Sequence, residues 1–87
     1  MNLKEAIDII DEMIEYCNDI DDDLTDAAEG IYRDVHAAKT IESIINSANE
    51  LMVFVNDTPW KSYELEEQQK EIEILYNKLL ENFEDFE

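Results

Sequence analysis

The chain has 87 residues, enough for one domain with a modest core. Its 24 acids against 6 bases give a net charge of −18, which excludes nucleic acid and anionic membrane as direct partners, because both carry the same sign. The hydrophobic fraction of 45% argues against disorder, and one Gly and one Pro leave little material for turns, so a few long helices are predicted.

The first helix is predicted over residues 3–21. Asn2 with Glu5 three residues on reads as an N-cap with its reciprocal carboxylate. Leu3, Ala6, Ile7, Ile10, Met13, Ile14, Cys17 and Ile20 follow at helical spacing. Glu5, Asp8, Glu12, Glu15, Asp19 and Asp22 recur at the same spacing, roughly 160° away around the axis. Ile9 and Tyr16 widen the apolar arc to about half the circumference, which implies contact with more than one neighbouring helix. Asp21, Asp22 and Asp23 end the helix, since adjacent acids disfavour its negative end and favour the positive end of the next one. Asp26 with Glu29 forms a second capping-box pattern.

A long middle helix is predicted over 24–56. Its first half places Leu24, Ala28, Ile31 and Val35 on one face. Its second half places Ile41, Ile45, Ala48, Met52 and Val55 on a face rotated by about 100°. The slip predicts a kink near 38–41, or a short break capped by Thr40. Gly30 lies inside this helix and weakens it by about 1 kcal/mol relative to Ala. Thr58-Pro59 then reads as a cap and first position, so the last helix is predicted over 59–84. Leu65, Ile72, Leu75, Leu79, Phe83 and Phe86 form its apolar face, with Tyr76 and Leu80 beside it and Gln68 interrupting. The fold class is therefore all-α, a single domain over 1–87. It is a small bundle of three main helices whose long middle one is kinked or broken, with a four-helix bundle as the alternative.

Little in the chain supports catalysis. Asp19, Asp21 and Asp23 match the opening of a calcium-binding EF-hand loop, but Leu24 stands where the loop needs Gly and Gly30 where it needs Glu. The one histidine, His36, is preceded three residues earlier by Arg33, so the Glu-x-x-His of di-iron bundles is absent. Cys17 falls in the apolar stripe with acidic neighbours, the setting of a buried, inert thiol. No catalytic residue, metal ligand or cofactor is predicted. Trp60, beside Pro59, Lys61 and Tyr63, reads as packing over the end of the bundle, with an aromatic anchor for a partner as the alternative.

Charge then points to function. Residues 1–26 carry 10 acids and 1 base, net −9; residues 27–57 carry 5 and 2, net −3; residues 58–87 carry 9 and 3, net −6. Solubility needs a magnitude of only roughly 2–8 in a small domain. The excess predicts a basic partner, whose encounter such a field accelerates. The acid stripe from Glu5 to Asp22 extends about 25 Å along a continuous helix, with carboxylates about 4.5–6 Å apart. The predicted partner-binding residues are Glu5, Asp8, Glu12, Glu15, Asp19, Asp22, Glu66, Glu73 and Glu84. In size, charge and helicity the chain resembles the small acidic inhibitors that phages make against restriction or CRISPR nucleases. That resemblance implies a DNA mimic occupying a nucleic-acid-binding surface. The alternative is a helical interaction module such as an immunity protein, antitoxin-like inhibitor or regulatory subunit. The run Leu51-Met52-Val53-Phe54-Val55 supports it, since five consecutive apolar residues point all round a helix. A middle helix of about 48 Å would leave this end half covered, which predicts a homodimer through Leu51, Met52, Phe54 and Val55. A lone cysteine and the absence of an apolar run after Met1 predict a cytoplasmic protein.

Overall fold

The computed structural model describes residues 2–18, 20 and 22–82. They form four α-helices: α1 (Leu3–Cys17), α2 (Asp22–Ala37), α3 (Ile41–Asp57) and α4 (Glu66–Glu81), with a 3₁₀ turn at Trp60–Tyr63 before α4. No strand occurs among the described residues.

α1 starts where Asn2 Oδ1 accepts the Glu5 N–H at 2.9 Å. It ends at Cys17 and not at residue 21, with the Asn18 N–H closing on the Glu15 carbonyl. Asp22 and Asp23 instead lie in the first turn of α2, where the positive end of the helix dipole stabilises carboxylates. Asp26 is therefore inside α2 and caps nothing by position.

The predicted middle helix is two helices. Its apolar face changes direction at residues 38–40, and a full break lets each half turn its own face to the core. Ala38 N–H closes α2 on the Val35 carbonyl. Thr40 caps α3, its Oγ1 accepting the Ser43 N–H at 3.3 Å. The bundle is thus the four-helix form. α2 buries Leu24, Ala28, Ile31 and Val35, as the spacing requires. α3 buries Ile44, Ser47, Ala48, Leu51 and Val55, a face rotated by roughly 60° from the predicted one. Ile41, Ile45 and Met52 fall on its half-buried flank.

The last predicted helix also divides. Thr58 closes α3, its hydroxyl donating to the Phe54 carbonyl at 2.8 Å. Pro59 opens the 3₁₀ turn, which ends at Glu64 in the left-handed region, φ 57°. The Leu65 N–H bonds the Trp60 carbonyl at 3.0 Å, and α4 begins only at Glu66. α4 has no side-chain cap, but Glu66 and Glu67 in its first turn complement the dipole.

Successive helices run antiparallel, and α1 packs on all three others, most extensively on α4. The wide apolar arc of α1 makes this arrangement feasible: Ala6, Ile9, Ile10, Met13, Ile14 and Cys17 are all buried. α1 is the hub of the core. Trp60 plugs one end at 2% exposure, its indole N–H donating to the Val55 carbonyl at 2.8 Å.

Candidate partner-binding surface

The outward face of α1 carries Glu5, Asp8, Glu12 and Glu15, all exposed. Each is three or four residues from the next, so their carboxylates share one side of the helix. Because α1 stops at Cys17, the continuous stripe is about 15 Å long and not about 25 Å. Asp22 is exposed but belongs to α2, across the turn. Asp19 and Glu84 lie outside the described residues.

Two grooves flank the stripe. One separates α1 from α2 and is lined by Asp11, Glu15, Glu29, Tyr32 and Arg33, among others. Asp11 points into it and meets His36, whose Nε2 lies 3.0 Å from both carboxylate oxygens. The Tyr32 ring packs against His36 at a tilt of 39°, with centroids 4.3 Å apart. This partner for His36 was not readable from the chain, because Asp11 is 25 residues away and on another helix. As a half-exposed ion pair it contributes on the order of 0–1 kcal/mol when the imidazole is protonated.

The other groove separates α1 from α4 and is lined by Tyr16, Glu67, Gln68, Lys70, Glu71 and Ile74. It decides which α4 acids extend the α1 surface. Glu67 and Glu71 lie on the α1 side. Glu66 and Glu73, chosen from the sequence, do not: Glu73 lies about 160° around α4 from Glu71. Tyr76, one turn beyond Glu73, donates its hydroxyl to Asn49 of α3. Glu66 and Glu73 are exposed, but on the flank toward α3. The hydrophobic period of α4 does not say which neighbour lies on which side, so this choice depended on the packing.

The predicted dimer residues are corrected in part. Leu51 and Val55 are fully buried within the protomer, because α2 folds back along α3 and covers that end. Met52 is half-buried. Phe54, 44% exposed, and Val53, 59% exposed, remain at the surface. Trp60 is a core residue, 2% exposed, packed over the end of the bundle.

Cys17 has no exposed surface, and burial raises its thiol pKa from 9.0 to about 12, so it remains neutral and unreactive at physiological pH. Residues 22–30, where a calcium loop would have to bend, are α-helix. Among the described residues no group of three or more His, Cys, Asp or Glu side chains is placed to hold a metal ion. No helix among them is long and apolar enough to cross a membrane. Comparison of the chain with known protein families, curated proteins and solved structures gives no match.

Proposed function

We propose that this protein works by binding, in the cytoplasm, to a basic, nucleic-acid-binding surface of a partner protein, and that it inhibits the partner by occupying that surface. The observation that carries this reading is the row Glu5, Asp8, Glu12 and Glu15 on the outward face of α1, continued across a groove by Glu67 and Glu71. B-DNA carries one charge per about 1.7 Å of axis, and phosphate-binding proteins meet that charge with Lys and Arg. Carboxylates about 4.5–6 Å apart on a rigid helix present the same sign to the same side chains. A net charge of −18 is too large to be explained by solubility and accelerates encounter with such a surface.

The test is capture of the partner from cell extract at low salt, followed by competition with double-stranded DNA. Binding is expected to weaken steeply as salt rises, because exposed charges are screened over a Debye length of about 8–10 Å near physiological ionic strength. DNA should compete for the partner. Glu12→Gln alone should have little effect, whereas neutralising Glu5, Asp8, Glu12 and Glu15 together should weaken binding by tenfold or more. Salt-insensitive binding that survives the fourfold change would end the mimic reading.

The exposure of Val53 and Phe54 favours a second reading, an interaction module whose apolar contact carries the affinity and whose acids form its rim. A homodimer through this patch is the weaker form of that reading. With Leu51 and Val55 inside the core, too little apolar surface remains to offset bringing two chains of −18 together.

A further inference from the structure

We infer that the groove between the start of α2 and the end of α3 is an anchor subsite for a basic segment that carries an aliphatic side chain between arginines. The inference rests on the reading above that the partner is basic, and adds where on this molecule its contact is fixed. The groove has an apolar floor of Leu24, Ala27 and Phe54, and Asp23, Asp26 and Asp57 stand around it.

Charge distinguishes it from three other grooves among the described residues. Arg33 lines the groove between α1 and α2, Lys70 the one between α1 and α4, and Lys39 the opposite end of the α2–α3 interface. Each of those is partly neutralised from within. The Phe54 groove is lined by Asp26 and Asp57 as well as Asp23, and no cation stands among its described lining residues, so Asp26 and Asp57 by themselves give it a negative rim.

The backbone that carries Phe54 is also held. Thr58 Oγ1 donates to the Phe54 carbonyl at 2.8 Å, and the Trp60 indole donates to the Val55 carbonyl at 2.8 Å. Both carbonyls at the end of α3 are thus satisfied within the chain, and the helix end that carries Phe54 and Asp57 is held before any partner arrives. A helix end held in advance lowers the ordering cost of binding. Phe54 keeps 44% of its surface exposed, so its ring offers both apolar contact and a face for a guanidinium. An acidic rim around an apolar floor matches an Arg–aliphatic–Arg segment and repels a second copy of this chain.

The probe is the peptide acetyl-GRLRG-amide, titrated into the ¹⁵N-labelled full chain at low salt. Amide shifts are expected to concentrate at Leu24, Ala27, Phe54, Asp57 and Thr58. Acetyl-GELEG-amide should not bind, and acetyl-GRSRG-amide should bind at least fivefold more weakly. Phe54→Ala should cost tenfold or more in affinity. Asp26→Asn with Asp57→Asn, which leaves the apolar floor intact, should cost fivefold or more, so the result does not depend on one variant keeping its fold. Shifts spread along α1 and indifferent to both variants would overturn the groove assignment while leaving the basic-partner reading in place. Failure of both the peptide and polyarginine to bind would overturn both. Concentration-dependent shifts at Phe54 without peptide would make a second copy the occupant and also overturn the assignment.

Discussion

Replacing Trp60 by Phe tests whether this residue holds the bundle end or serves a partner. The substitution removes the indole donor to the Val55 carbonyl. That carbonyl keeps the Thr58 N–H at 3.2 Å, so the cost is near that of one ordinary hydrogen bond, about 1 kcal/mol, and not that of an orphaned buried carbonyl. The smaller ring also forfeits apolar burial at a 2% exposed site, worth about 1–2 kcal/mol with the void it leaves. The sum of about 2–3 kcal/mol is large against the roughly 4–13 kcal/mol expected for a domain of this size. The midpoint of thermal unfolding should fall by roughly 10–20 °C. Urea unfolding followed by circular dichroism at 222 nm measures the change directly, through a shifted midpoint at constant slope. A loss below about 0.5 kcal/mol would refute the packing argument, and a variant of unchanged stability that no longer binds a partner would restore the anchor reading.

Gly30→Ala should stabilise the fold by about 0.5–1 kcal/mol in the same assay, because Gly30 is inside α2 and no atom lies within 4 Å of an added Cβ; destabilisation would reveal an unrecognised contact. Neutralising Glu5, Asp8, Glu12 and Glu15 together should leave the helical spectrum intact and raise the unfolding midpoint at low salt, with the gain shrinking in 0.5 M salt; a loss of helix would show that these side chains are structural. A double-mutant cycle with Asp11→Asn and His36→Gln should give a coupling of about 0–1 kcal/mol at pH 5, and a coupling several times larger would mean that the pair is more shielded than its exposure indicates. Cys17 should resist a disulfide reagent at pH 8 until the chain unfolds. Because the folded thiol holds its proton to about pH 12 and the unfolded one to 9.0, stability should be unaffected by this group below pH 9 and fall as pH rises from there to about 12, a component that Cys17→Ala lacks.

What the chain made legible was whatever depends on spacing within one helix. The cap at Asn2, the apolar stripe of α1 and the buried face of α2 follow from spacing within each helix, and the break at Thr40 from the change of apolar face between residues 24–35 and 41–55. The rotated face of α3 was not legible, since apolar residues occupy most of its circumference between Leu51 and Val55 and only the neighbours select among them. The stop at Glu64 was hidden as well, because a left-handed turn is ordinarily announced by Gly or Asn and here falls on Glu. The candidate surface divided in the same way. The α1 acids could be placed from their own period, whereas the choice of Glu67 and Glu71 over Glu66 and Glu73 needed the position of a helix about fifty residues away.

The packing of α1 on α4 sets an order on biosynthesis. α1, α2 and α3 are consecutive and can pair as they emerge, each with the one before it. The face of α1 that receives α4 has no cover until about fifty further residues have been made, which at ordinary elongation rates is a delay of roughly 3–10 s. During that interval the nascent chain exposes Tyr16, which lines the α1–α4 groove in the finished fold, beside a row of carboxylates. Repulsion between such chains on neighbouring ribosomes opposes their association through the open apolar face. The acids of α1 therefore oppose self-association of the half-made molecule.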